Sequence, residues 1–262
     1  MSQSQYDYRT GILLGLAAGD LIGGPIHMAV RLAESLIENR GFAPSDVLSR
    51  YLHWWNNGAF DTGPTAARVF EQVSSGTAHC DAVRNAHYAA GGMSGGCNPA
   101  HRCPPLAMAS FLTNDELLTT AMREAALTHY APIAGEVAGT TALLCRLLTQ
   151  GLEWPQAIHE VAAKSTKVVR EVLLSTDTFP LRSGGYAVDV LHAAIHFVKN
   201  NDSFESALNA SYKFAGPANY CPVLVGAIAG ARWGSSSIPA VMFKHCEILP
   251  RVQTAAEKLA SM

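Results

Sequence analysis

Two aspartates and a histidine stand where the chain breaks into glycine and proline, and they are the groups with which it could move a proton. Asp20 closes Gly15–Asp20 ahead of Leu21-Ile22-Gly23-Gly24, and Asp61 lies in Phe60-Asp61-Thr62-Gly63-Pro64-Thr65. A carboxylate at either place can serve as acid or base. Each also has a structural use. Asp20 can fix the following turn by accepting backbone N–H groups, and Asp61 or Thr62, just before Pro64 and an Ala66–Phe70 helix, suits an N-cap. His129, in Thr128-His129-Tyr130, is either a satisfied structural histidine or a group facing a ligand. Other stretches carry residues for binding. Gly95–Leu106 is rich in glycine and proline and holds Asn98 and a single arginine, Arg102, suited to a ribose or a phosphate. Ser183-Gly184-Gly185-Tyr186 leads into a helix whose first amides favour an anion or a sugar hydroxyl. Cys97, His101 and Cys103 lack a fourth partner and a regular spacing, so no zinc site is expected. Asp189, His192 and His196 share one helix face, read as a solvent or packing face.

These residues need helices to hold them. Ala29, Leu32, Ala33 and Leu36 mark the apolar face of a helix stopping near Asn39–Gly41. Val47 to Trp55 marks another, begun at Pro44-Ser45 and ended by Asn56-Asn57-Gly58. Leu117, Ala121, Met122 and Ala125 follow an Asn114-Asp115-Glu116 start, with negative charge at the positive helix end. Val137, Thr141, Leu144 and Leu148 form a stripe closed by Gly151, and Val188, Leu191, Ile195 and Val198 repeat it before Asn200-Asn201. Asp202-Ser203-Phe204-Glu205 is expected to be a capping box. No segment alternates with period two. The expectation is an all-α fold in one domain spanning 1–262.

Bulk properties narrow the function. Of the 262 residues, 19 are basic and 21 acidic, for a net charge of −2, which gives no footprint for nucleic acid or a membrane surface. Six cysteines form no C-x-x-C pair and read as reduced thiols. The first residues lack a signal-type pattern, and no apolar run is long enough to span a bilayer. A soluble, cytoplasmic protein is expected; oligomeric state is not legible.

Gly11–Glu34 (GILLGLAAGDLIGGPIHMAVRLAE) and Ala215–Gly234 (AGPANYCPVLVGAIAGARWG) together resemble the ADP-ribosylglycohydrolase family, also called the dinitrogenase-reductase-activating glycohydrolases. In that family the first stretch runs GLAxGDALG and, after some tens of residues, WTDDTxMALxLAESL; the second runs GGDTDTxGAIAGALAGAxYG. The aspartates of those motifs hold a pair of magnesium ions. Here Gly23–Ile26 replaces TDDT, and Pro217-Ala218-Asn219-Tyr220 replaces the second set, leaving Asn219 as its only side-chain oxygen donor of the amide or carboxylate kind. Magnesium demands several hard oxygen ligands, so no cofactor is expected. Further likenesses join the central loops to the family: Phe60–Thr65 to FDIGNTT, Gly95–Leu106 to GNGSLMRxAPL with Cys97 at its asparagine, Thr128-His129 to THxxP, and Ser183–Asp189 to SGYVVDTL. The resemblance implies an orthogonal helical bundle of the ADP-ribosylglycohydrolase type. It also implies a ligand cleft built from loops 60–65, 96–106, 183–186 and 216–220.

Two functions are weighed. One is a metal-independent hydrolase of an N-riboside, either an ADP-ribosylated group or a smaller nucleoside-like molecule. Asp61 and Asp20 are its candidate catalytic carboxylates. Thr62, Asn98, Arg102, His129, Ser183, Gly184, Tyr186 and Asn219 are its candidate binding residues. The other is a non-catalytic member that binds ribose or ADP-ribose or serves as structure. The retained Asp61, Asn98 and Arg102 favour the enzyme, and the missing metal ligands favour its rival.

Overall fold

A computed structural model describes residues 2–175 and 180–262. Its described residues fold into helices joined by short loops. In chain order these are α1 (Gln3–Gly19), α2 (Gly24–Asn39), α3 (Pro44–Asn56), α4 (Pro64–Ser74), α5 (His79–Ala89), α6 (Asn98–Arg102), α7 (Pro105–Met108) and α8 (Asn114–Ala125). There follow α9 (Pro132–Thr149), α10 (Trp154–Lys164), α11 (Lys167–Leu174), α12 (Ala187–Lys199), α13 (Phe204–Ala215), α14 (Tyr220–Trp233) and α15 (Leu249–Ala260). The all-α expectation holds, and α2, α3, α9 and α12 lie where the apolar periods put them. Among the described residues no helix is long and apolar enough to cross a membrane.

Glycines four residues apart bring the two ends of the chain together. Gly11, Gly15 and Gly19 line one side of α1, and Gly226 and Gly230 line the facing side of α14. A Cβ added at any of the five would overlap a backbone carbonyl of the opposite helix: Gly11 against Gly230, Gly15 against Gly226, Gly19 against Pro222. The pairing runs antiparallel, because the end of α1 meets the start of α14. Two backbones can approach this closely only where no side chain intervenes. Asp20, just beyond α1, is thereby set against Asn219, just before α14.

Around this pair one continuous apolar core draws on residues from Ile12 to Ala260, with α9 packed against many of the other helices. A smaller cluster of Val69, Ala82, Val83 and Ala86 joins α4 to α5. Polar groups finish the helix ends. Buried Arg146 donates to the carbonyls of Leu106, Ala107, Ala109 and Leu112, satisfying the end of α7. Three expected caps are moved. Thr113, one residue earlier than read, caps α8 in a box with Glu116. The box at α13 is Ser203 with Ser206, not Asp202 with Glu205, because Ser203 takes the extended cap conformation. Gly63 caps α4 with no side chain at all, so neither Asp61 nor Thr62 has that role.

Candidate functional site

The positive end of α2 collects both candidate carboxylates. Asp20 is 1% exposed. Its Oδ1 accepts from the Gly23 amide at 2.9 Å and from Asn219 Nδ2 at 2.9 Å, and its Oδ2 accepts from the Ile26 amide at 2.8 Å. Burial raises its pKa, while these N–H donors pull it back. Asn219 itself is fixed, since its Oδ1 accepts from the Leu21 amide at 3.3 Å. Asp61 sits on the other side of the same helix end, with a left-handed backbone (φ 50°). The nearby Gly24 amide tempers the rise of the Asp61 carboxyl's pKa, and a Cβ on Gly24 would overlap the Asp61 backbone. Phe60 anchors the loop by packing edge-on against His27 and Trp54, with centroids 5.3 and 5.9 Å away. Desolvation and the neighbouring Asp20 push the Asp61 carboxyl up to about 6, although the residue as a whole stays solvent-exposed. That value suits a group that trades protons near neutral pH.

Beside Asp61 opens a cavity of about 810 Å³, within the size of small-molecule sites. All four expected loops reach it: Asp61 and Gly63–Thr65, Gly95–Asn98 with His101, Gly185–Tyr186, and Pro217–Tyr220. Two of them are stitched together. Cys97 donates its amide to Gly185 at 3.0 Å and Ala187 donates to Gly95 at 2.9 Å, flanking a bridge between Gly96 and Tyr186. This pairing turns the entries of α6 and α12 into one wall. Among the described lining residues Asp61 is the one carboxylate, and there is no lysine or arginine.

Of the residues expected at the site, Asp61, Asn98, His129, Tyr186 and Asn219 line the cavity and five do not. Asp20 lies outside the lining, and N–H donors engage both of its oxygens, the turn-fixing use the sequence also offered. Arg102 also lies outside the lining, fully buried behind the wall. Its Nε donates to Glu124 Oε1 at 2.6 Å, and Nη1 donates to Asn98 Oδ1 at 2.6 Å and Thr128 Oγ1 at 2.8 Å. Tyr51 adds a hydroxyl to the same Glu124 oxygen at 2.8 Å. Thr62 is buried outside the lining, while Ser183 and Gly184 are exposed just ahead of Gly185. Reading the sequence missed Ile22, Met93 and Ile133 as lining residues. An apolar Met93 within Gly91-Gly92-Met93-Ser94-Gly95-Gly96 was the available signal, and it is 82% exposed.

His129 and His101 are both buried in the wall and both held neutral by desolvation, His129 at about 3 and His101 at about 4. Among the described residues no three His, Cys, Asp or Glu side chains gather to hold one ion. Cys103 turns its thiol to the Ala138 carbonyl at 3.1 Å, away from Cys97 on the cavity wall. The α2 and α14 entries, Gly23–Ile26 and Pro217–Tyr220, supply one side-chain amide between them, and it is spent on Asp20 and Leu21. This donor set does not fit a magnesium pair.

Residues 26–262 match the family model described as ADP-ribosylglycohydrolase. The chain belongs to that family. An ADP-ribosyl-[dinitrogen reductase] glycohydrolase of Rhodospirillum rubrum is 23% identical over 271 aligned positions, which cover 90% of this chain and 89% of the relative. An ADP-ribosylarginine hydrolase, Tri1, of Serratia proteamaculans (strain 568) is 34% identical over a shorter stretch of 82 positions, 31% of this chain and 22% of that protein. A solved structure described as an ADP-ribosylglycohydrolase-related protein complex superposes with a TM-score of 0.83 at 24% identity, covering 100% of this chain and 99% of its own. Its likeness establishes the ADP-ribosylglycohydrolase fold for the chain, the helical bundle that the terminal motifs implied. Within that fold, this member of the family keeps a cavity at the meeting of the four loops and fills the motif positions around it with uncharged residues.

Proposed function

We propose that this protein hydrolyses the N-ribosidic bond of an ADP-ribosylated group without a magnesium pair, using Asp61 as its catalytic carboxylate. Asp61 carries the reading: it stands on the cavity wall, is reachable by water, and is held near pH 6. The reaction takes one water. The bond from the ribose anomeric carbon to nitrogen breaks with its electron pair leaving on nitrogen. Positive charge spreads over the anomeric carbon and ring oxygen, and the Asp61 carboxylate stabilises it. Water oxygen then bonds to the anomeric carbon, Asp61 accepts the water's proton, and that proton passes to the departing nitrogen. Family membership and the relatives' names support ADP-ribosyl substrates. The saturated Asp20 and the substituted motif positions support metal independence. The reading places the protein in the cytoplasm.

Turnover of ADP-ribosyl-arginine in excess EDTA tests both parts. Activity is expected to survive chelation, and Asp61→Asn is expected to lower it by about 10²–10⁴ in a folded protein, the usual cost of a lost acid–base group. Activity abolished by EDTA, or two full-occupancy ions after Mn²⁺ soaking, would overturn metal independence. The saturation of Asp20 also favours a second reading, a non-catalytic ADP-ribose binder. A wild type that binds ADP-ribose yet is inert on ADP-ribosyl-arginine, ADP-ribosyl-serine and simple nucleosides would select it.

A further inference from the structure

The hydrogen bonds behind the cavity wall favour one arrangement of protons, the one that leaves no buried hydroxyl proton without an acceptor. A guanidinium only donates, so Thr128 Oγ1 is an acceptor toward Arg102 Nη1 at 2.8 Å. The single Thr128 O–H is then left for its other close neighbour, His129 Nδ1, also at 2.8 Å. A nitrogen that accepts a proton bond carries no proton of its own. Burial keeps the imidazole neutral, so its one proton belongs on Nε2. That nitrogen lies beside Gly96, 3.3 Å from where a Cβ would stand, and both residues line the cavity. The same Arg102 nitrogen holds Asn98 Oδ1, and the Asn98 amide nitrogen lies 3.9 Å from the buried Met28 Sδ. Among the described lining residues there is no lysine or arginine, so what His129 offers is a neutral N–H donor.

We propose that Thr128, clamped by Arg102, is a positioning residue that fixes His129 as its Nε2–H tautomer, making His129 a neutral hydrogen-bond donor to an acceptor oxygen of the ligand. The ligand in this statement rests on the ADP-ribose reading; the tautomer does not. An acceptor oxygen could come from the diphosphate or from the sugar. A tautomer set from behind excludes a ligand donor at that point, because Nε2 would have no lone pair to receive it.

Long-range proton–nitrogen spectra of histidine-labelled protein, recorded without ligand, test the positioning. Wild type and Thr128→Ser are expected to show a protonated Nε2 and an unprotonated, hydrogen-bonded Nδ1. Thr128→Val, similar in shape without the O–H, is expected to populate the Nδ1–H form and to weaken ADP-ribose binding about tenfold, the scale of one lost hydrogen bond to a polar ligand group. A wild-type spectrum with the proton on Nδ1 overturns the proposal on its own, whether or not any variant folds. So does a Thr128→Val protein with unchanged tautomer and affinity. Titration separates the sources: a Nε2 shift with ribose and ADP-ribose alike assigns a sugar oxygen, and a shift with ADP-ribose alone assigns a phosphate oxygen. ADP-ribose binding without any Nε2 shift overturns the contact. A wild type that keeps the Nε2–H tautomer but binds no ADP-ribose overturns the functional reading, and Thr128 positioning stands apart from it.

Discussion

Asp61 and Asp20 share one helix end and have opposite fates, set by what reaches their oxygens. Asp20 is enclosed by amides; Asp61 keeps one face to the cavity and to water. If Asp61 must be ionised to stabilise the anomeric cation and take a proton, kcat/KM should hold at neutral pH and fall as pH drops through about 6. A pH–rate profile checks this, and a plateau continuing to pH 5 would remove Asp61 from the reaction. Asp61 could be picked out from its glycine- and proline-rich loop alone. The burial of Arg102 could not, because its partner Glu124 stands 22 positions away on another helix and no local pattern links them. For Asp20 the turn-fixing backbone donors were among the readings, but its third donor, Asn219, stands 199 positions away and was not legible as its partner. What the residue types supplied was a set of candidates; which of them face a ligand was decided by neighbours remote in the chain.

Among the elements, α1 and α14 are the most demanding pair, since they touch backbone to backbone. Gly15→Ala inserts a methyl against the Gly226 carbonyl, and relief requires the two helices to move apart. Overpacking of this kind costs about 1–3 kcal/mol and occasionally more; the upper end, about 3 kcal/mol, is expected here because a carbonyl cannot rotate away as a side chain can. Urea unfolding of the variant measures it, and a loss below about 0.5 kcal/mol would contradict the close contact. Helix identity was the most legible level. Apolar periods gave α2, α3, α9 and α12 their places because burial on one face repeats every turn. Cap residues were less so: Ser203 and Asp202 are both good caps by type, and only the extended backbone at Ser203 chose between them. The glycine contact went unread, although its spacing lay in the terminal motifs, because spacing alone does not name the opposing helix.

Across the whole molecule, several buried titratable groups tie stability to pH. Burial, with Arg31 adding to it at His27, holds His27 and His101 at about 4, and burial holds His129 at about 3, against the ordinary 6.5. Between those values the unfolded chain binds protons that the folded chain refuses, so stability present above pH 6.5 is lost as pH falls toward 4. Asp61 and Asp20 act in the reverse sense, with carboxyls raised above the ordinary 3.8. Three groups oppose two, and the histidine displacements at His101 and His129 are large. The thermal midpoint is therefore expected to fall on acidification from pH 6.5 to 4, as calorimetry would record; a midpoint that rises instead would mean the histidines are charged in the folded state. One consequence of the glycine pairing concerns synthesis. The two halves of the α1–α14 contact lie some two hundred residues apart, so at about 5–20 residues per second a nascent chain waits roughly ten to forty seconds before α14 exists. Through that interval the glycine face of α1 has no partner and Asp20 has no Asn219. A ribosome-bound chain halted before residue 219 would hold Asp61 and His129 but no closed cavity, so the proposed hydrolysis has to wait for the synthesis of α14.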